Sequence, residues 1–324
     1  MEKILVTGGA GFIGSNLCNL LHNSHYAVTA FDSLSLGTPD NLPEGVTFIK
    51  GDINSSADLN NLPEKYDYII HLAAASSAPM FEKDLVTSCE TNMIATLKIF
   101  ELARSTGVKK VIFASTSSIY GDNTPPLSED QAVIPPNFYS VTKHNMEEMA
   151  RVYADLYDLE IIAFRFMSIY GLHEEHKGKF ANLVSQFLWT MYQGKQPVIF
   201  GEGNQTRDFT NAIDVARGIK LAIETDKKYG FTIFNIGSSV EYPVRDLVGK
   251  INAVLGTNIQ PRFIPNPLRW TATSQYGDLT KIERELGYQP SIDLDTGLKM
   301  LVENLPQDPS LLPDVSDIEN TLKK

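Results

Sequence analysis

The chain has 324 residues, with 28 Lys or Arg against 39 Asp or Glu for a net charge of −11, and 43% of it is hydrophobic. That length fits one large α/β domain or two ordinary ones, and an acidic chain with charges spread along it repels a phosphate backbone, which argues against nucleic acid as a partner. Cys18 and Cys89 form neither a disulfide framework nor a metal knuckle, no run approaches ~18 apolar residues, and Met1-Glu2-Lys3 does not open a signal peptide. The expectation is a cytoplasmic protein with no membrane partner.

From the N-terminus, short β-branched runs alternate with longer helical ones, the signature of a parallel sheet with crossover helices. Strands are predicted at Lys3–Thr7, 28–32, 46–52, 66–74, Lys110–Thr116 and 160–166, and helices at Phe12–Asn23, 84–105 and 137–156. Residues 1–166 therefore read as a Rossmann-type, doubly wound parallel sheet of the α/β class. Beyond residue 166 the alternation lapses into a polar loop at 173–179, a helix to about Gln193, strands near 197–200 and Phe231–Ile236, and helices near Val244–Leu255 and 279–286. Residues 167–306 are expected to form a smaller C-terminal α/β substrate-binding region that caps one edge of the sheet and interleaves with the first region. Residues 307–324 are expected to form a loose tail.

The strongest local signal is Thr7-Gly8-Gly9-Ala10-Gly11-Phe12-Ile13-Gly14, directly after the first strand and opening the first helix. Gly8 permits the tight turn, Gly11 lets the backbone approach a pyrophosphate, Gly14 lets helix pack close to strand, and the helix N-terminus presents free N–H groups. By itself a glycine triplet is only a tight turn. Here Asp32 ends the second strand, where a carboxylate accepts from ribose hydroxyls and repels a 2′-phosphate, so the pattern favours NAD over NADP.

Tyr139 and Lys143 are four apart on a predicted helix, hence on one face, where an ammonium near the phenol lowers its pKa from ~10 and makes it a usable base. An isolated pair of this kind is more often a surface coincidence. The segment Phe113-Ala-Ser-Thr116-Ser-Ser-Ile-Tyr120-Gly121 ends the fifth strand at the ligand edge of such a sheet, where Thr116 can hydrogen-bond a substrate oxygen. His173-Glu-Glu-His176 has i, i+3 spacing and no third ligand, so a solvated loop is expected there and no metal.

Together with Asp32-Ser-Leu-Ser-Leu-Gly37, Gly51-Asp52-Ile53, His71-Leu-Ala-Ala74, Asn92, the run from Gly201 to Phe209 and Leu286-Gly-Tyr-Gln-Pro290, these motifs resemble the extended short-chain dehydrogenase/reductases, specifically the NAD-dependent nucleotide-sugar epimerases and dehydratases. The resemblance covers about residues 3–305. It implies that Thr116, Tyr139 and Lys143 are catalytic, and that the cofactor is met by Gly8, Gly11, Phe12, Ile13, Gly14, Asp32, Ser33, Ser35, Gly37, Asp52, Ile53, Leu72, Ala73, Ala74, Asn92, Tyr139, Lys143 and Phe166. For the substrate it implies Ser77, Thr116, Ser168, Asn182, Leu183, Arg207 and Arg269.

Two departures shape the expected reaction. Dehydratases of this family follow the catalytic Thr with Asp-Glu, whereas this chain has Ser117-Ser118, which cannot do that acid–base work. Ser168 stands where many members carry an Asn that contacts the substrate phosphate. The resemblance thus implies a UDP-sugar 4-epimerase, acting on UDP-glucose/UDP-galactose or their N-acetyl forms through a transient 4-keto sugar, and a homodimer built through helices 84–105 and 137–156. Rival outcomes are another NAD-dependent nucleotide-sugar dehydratase, reductase or decarboxylase, or a non-catalytic NAD-sensing protein.

Overall fold

The computed structural model describes residues 1–62, 65–266 and 273–316. Strand β1 (Lys3–Thr7) is buried at every residue after the first, as a parallel strand covered on both faces must be. It turns into α1 (Phe12–Asn23), followed by β2 (Ala27–Asp32), β3 (Thr47–Lys50), α2 (Ser56–Asn60) and β4 (Tyr68–His71). Then come α3 (Ala78–Lys83), α4 (Leu85–Cys89), α5 (Ala95–Thr106), β5 (Lys110–Thr116), α6 (Phe138–Tyr157) and β6 (Ile161–Phe166). The rest comprises β7 (Ser168–Tyr170), α7 (Leu183–Tyr192), β8 (Val198–Phe200), β9 (Thr206–Arg207), β10 (Phe209–Asn211), α8 (Ala212–Glu224), β11 (Phe231–Ile236), β12 (Tyr242–Pro243), α9 (Val244–Leu255), β13 (Arg262–Ile264), α10 (Thr280–Leu286) and α11 (Leu294–Glu303).

Seven parallel strands form the central sheet in the order β11-β6-β5-β4-β1-β2-β3. The order reverses between β1 and β4, so the crevice beyond their carboxyl ends is where a doubly wound sheet takes its ligand. One face is covered by α1, α8 and α10, with Leu17, Leu21, Val215, Ile219 and Ile282 against Ile4, Ile70 and Phe164. On the other, Ile99 and Phe100 of α5 and Met146 and Ala150 of α6 pack against Leu5, Ile69, Phe113 and Ala163. Helices α7, α9 and α11 share a further core around Tyr170, Leu188, Leu247 and Leu298. Strand β11 lies beyond residue 166 yet completes the sheet, pairing Ile236 with Phe166.

Three local features differ from the sequence reading. The single helix predicted over 84–105 is broken into α4, a π-helical turn at Glu90–Ile94, and α5. Buried Asn92 causes this: its side chain accepts from Ala75 N at 2.8 Å and donates to Ala75 O at 3.1 Å and Thr142 Oγ1 at 3.0 Å, drawing the turn out of α register. The strands predicted over 46–52 and 66–74 are shorter, because Gly51 onward and Leu72 onward turn into the crevice.

The loose tail predicted over 307–324 is the third difference. Residues up to 316 dock on α7: Leu312 and Val315 are buried with Ala181 and Trp189, Gln193 donates to the carbonyls of Pro309 (3.1 Å) and Leu312 (3.2 Å), and Lys195 pairs with Asp314 at 2.7 Å. The polar composition of the segment conceals two apolar anchors three residues apart. Residues 317–324 lie outside the described residues.

Candidate active site

A cleft of about 890 Å³ opens at the carboxyl edge of the sheet. Its cofactor side begins at the β1–α1 turn, where Gly8 has φ +72° and a Cβ there would stand 2.7 Å from Ala73 N. At Gly14 a Cβ would lie 2.0 Å from Gly8 O, and at Gly37 one would lie 2.5 Å from Ala10 O. The glycines therefore let three backbone segments close on one another. Gly11 caps α1 with no side-chain hydrogen bond, leaving the first N–H groups of the helix for an anion. Asp32 is buried and accepts from Leu34 N at 2.8 Å and Ala10 N at 3.1 Å. Burial raises its pKa, and the backbone donors of Leu34, Ala10 and Gly11 oppose that rise.

Gly8, Gly11, Phe12, Ile13, Gly14, Asp32, Ser33, Ser35, Asp52, Ile53, Leu72, Ala73, Ala74 and Phe166 all line this cleft. Gly37 and Asn92 do not. Gly37 packs behind the glycine turn, and Asn92 is fully buried behind the wall, which it holds through both polar groups of Ala75.

Thr116, Tyr139 and Lys143 meet deeper in the cleft. Asn137 accepts from Ser140 N at 3.0 Å as the cap of α6, which puts Tyr139 in the first helical turn and Lys143 one turn on. The Thr116 side chain lies close enough to the Tyr139 phenol to favour its anion, and the Phe81 ring packs against that phenol with centroids 5.9 Å apart. The expected lowering of the phenol pKa is not what the chain alone produces: burial pushes Tyr139 above its ordinary value, with the Thr116 contact opposing. Lys143 turns its Nζ to the Ala114 carbonyl at 2.8 Å, and burial drives its pKa down to about 7, with Glu147 opposing. Behind it His71, held between Thr7 Oγ1 (2.7 Å) and Thr96 Oγ1 (3.0 Å), is driven to about 3 by burial and by Lys143, so it is neutral.

On the substrate side the cleft is lined by Ser77, Ser117, Ser118, Ser168, Lys177, Asn182, Arg207 and Gln275. Ser77 Oγ is buried with no hydrogen-bond partner among the described residues, so it has both a donor and an acceptor to give. Arg207 is partly buried, and that desolvation pushes its guanidinium pKa down. Leu183 begins α7 and packs against that region's core rather than lining the cleft. Arg269 lies outside the described residues.

The loop of His173 to His176 is not solvated as the sequence reading expects. Glu174 is fully buried and gathers Asn182 N (2.8 Å), Ser185 Oγ (2.6 Å) and Lys177 Nζ (3.0 Å), while His173 Nδ1 meets Ser15 Oγ of α1 at 2.9 Å. The loop thus ties the glycine-turn helix to α7. Among the described residues no group of three or more His, Cys, Asp or Glu could hold a metal ion.

Sequence reasoning also missed Glu147 and Arg165, a buried ion pair behind Lys143. The available signal was an arginine inside an otherwise apolar strand and a glutamate one turn beyond Lys143, on the buried face of α6.

The family described as NAD dependent epimerase/dehydratase matches residues 4–237. The chain is 34% identical over 312 residues to the UDP-glucose 4-epimerase of Mycolicibacterium smegmatis, covering 93% of this chain and 97% of that protein. It superposes on the Thermotoga maritima UDP-glucose 4-epimerase solved with UDP-glucose with a TM-score of 0.87 at 31% identity, over 93% of this chain and 98% of that one. On the Bacillus cereus UDP-glucuronic acid 4-epimerase, solved with UDP-glucuronic acid and NAD, the TM-score is 0.84 at 32% identity, over 92% and 97% of the two chains.

Proposed function

The chain belongs to the NAD dependent epimerase/dehydratase family, and on that premise we propose that it is a UDP-sugar 4-epimerase working through a transient 4-keto sugar. UDP-glucose and UDP-galactose or their N-acetyl forms are the proposed substrates. The observation that carries this reading is the meeting of Tyr139, Thr116 and Lys143 in the one cleft that also contains the glycine turn, Asp32 and Arg207.

The cradle closed by Gly8, Gly14 and Gly37, the uncapped end of α1 and the Asp32 carboxylate fit a dinucleotide without a 2′-phosphate. When bound, NAD supplies the hydride acceptor and donor, so that no net redox change results. Tyr139 takes the proton of the C4 hydroxyl, directly or through Thr116, and returns it after the keto sugar has turned over in the pocket. Its phenol is disfavoured as an anion by burial. A charged Lys143 counters that burial, as would the positive charge of a bound oxidised cofactor. Lys143 would also hold the ribose of a bound NAD, and Arg207, Asn182 and Ser168 would grip the diphosphate. Ser117 and Ser118 in the cleft wall offer neither an acid nor a base, which supports epimerisation over dehydration.

A homodimer through α4, α5 and α6 accompanies this reading, supported by the exposed apolar side chains of Val86, Ile94, Val141, Val152 and Leu156 on that side. A cytoplasmic setting is supported by the two free thiols, Cys18 and Cys89. No helix among the described residues is long and apolar enough to cross a membrane.

The test is turnover of a panel of UDP-, GDP- and dTDP-sugars, UDP-glucuronate included. Tyr139→Phe is expected to keep bound NAD and to lose turnover by ~10²–10⁴. Near-wild-type turnover in that variant removes Tyr139 from the base role. Steady accumulation of NADH with substrate makes the protein a net oxidoreductase instead.

A further inference from the structure

Two successive residues at the end of β5 each hold one residue on the inner face of α6, and the next, Thr116, lies beside Tyr139 in the cleft. The Ala114 carbonyl accepts from Lys143 Nζ at 2.8 Å and Ser115 Oγ donates to Glu147 Oε1 at 2.5 Å. Glu147 is the member of this ladder outside the chemistry, and it is 1% exposed. Arg165 of β6 forks onto it, with Nε donating to Oε1 at 3.0 Å and Nη2 to Oε2 at 2.8 Å. Arg165 is anchored in turn by Tyr120 Oη at 2.9 Å, and that hydroxyl donates to Asn235 Oδ1 at 2.8 Å.

A buried ion pair adds little net stability over an apolar pair of the same shape, so stability is a weak reason for this one. The charges suggest a different role. Arg165 pairs directly with the buried carboxylate, and the buried Lys143, one helical turn back along α6, feels its charge without touching it. A bidentate fork is rigid, so the carboxylate stays one helical turn from Lys143 whatever occupies the cleft.

We propose that Glu147 is a positioning residue: clamped by Arg165 and Ser115, it fixes α6 in register on β5 and holds a negative charge one helical turn from Lys143. The inference rests on the epimerase reading for its consequence, since the charged Lys143 is what favours the Tyr139 phenolate. Among the described residues the other groups around Lys143 add no anion: they are Tyr139 on α6, neutral His71 at the end of β4, and Arg165 of β6 across Glu147, while His144 of α6 stands 3.8 Å from Glu147. Burial lowers the Lys143 pKa, and the Glu147 charge opposes that fall.

Protein carrying ¹³C at lysine Cε, loaded with NAD, reports the ionisation of Lys143 directly, with its resonance assigned by its loss in Lys143→Met. In Glu147→Gln the Lys143 midpoint is expected to fall by about 1–3 pH units, and the alkaline limb of kcat to move down with it. That variant leaves the Arg165 charge buried and unpaired, so the double variant Glu147→Met/Arg165→Met, an apolar replacement of the pair, is measured beside it. It should show a fall in the same direction. An unmoved midpoint in either folded variant overturns the inference. Failure of the wild type to turn over any sugar nucleotide overturns the epimerase reading instead, and the Lys143 titration still decides this one.

Discussion

Asn182 donates its side-chain amide to Ser168 Oγ at 2.9 Å while its Oδ1 caps α7 by accepting from Val184 N at 3.0 Å. One side chain thus sets the helix start and steadies Ser168 at the cleft wall. Ser168→Ala should free the Asn182 amide, at a cost of about 0.5–1.5 kcal/mol in substrate binding, which is a rise in KM of ~2–10-fold with kcat little changed. Steady-state kinetics on the best UDP-sugar checks this. A fall in kcat with unchanged KM would place Ser168 in the reaction step.

The glycine turn makes a steric prediction. In Gly14→Ala the new methyl would sit 2.0 Å from the Gly8 carbonyl oxygen, which is backbone and cannot swing aside. The turn must open, at a cost of about 1–3 kcal/mol or more, and NAD binding should be lost along with a lower melting temperature. Full NAD occupancy by mass spectrometry would contradict that.

Lys143 predicts how stability changes with pH. Its pKa is depressed in the fold to about 7 from an ordinary 10.5, so the unfolded chain binds more protons between those values. The ammonium therefore opposes folding fully below about pH 7, and the opposition fades as pH rises toward 10.5. Lys143→Met should be more stable than the wild type, with the largest gap below pH 7 and a narrowing gap above it, as read from denaturant midpoints across pH. A gap that widens with pH would reverse the sign.

The docked C-terminal segment predicts an effect at the cleft. Leu312 and Val315 pack with Ala181, and Ala181 itself lines the cleft. Ending the chain after residue 306 should lower stability by about 1–3 kcal/mol and raise KM for the nucleotide sugar several-fold, while NAD content stays near that of the full chain. Equal loss of NAD would show that the segment supports the whole fold and not the substrate wall.

Residues whose place is set by local spacing were legible in the sequence. The glycine turn, Asp32, Thr116 and the Tyr139–Lys143 pair all sit at strand or helix ends whose period can be read directly, and all of them line the cleft, while their roles came from the family resemblance. Residues whose role is set by a distant partner were not. Glu174 reads as one more charge in a polar loop, yet Asn182, Ser185 and Lys177 converge on it from up to 11 residues away. Asn92 sits within a helical pattern, and nothing local announces that Ala75 will pull it out of register. Leu312 and Val315 are two apolar residues in a polar stretch, and only the surface of α7 shows why they are there.

Epimerisation at C4 is tested on a UDP-sugar carrying deuterium on that carbon. After incubation with the purified protein, the expected product is the 4-epimer with deuterium still on C4 and no accumulation of NADH, because the hydride leaves and returns within one site. Loss of the label to solvent, net NADH, or a product changed anywhere but C4 would contradict it.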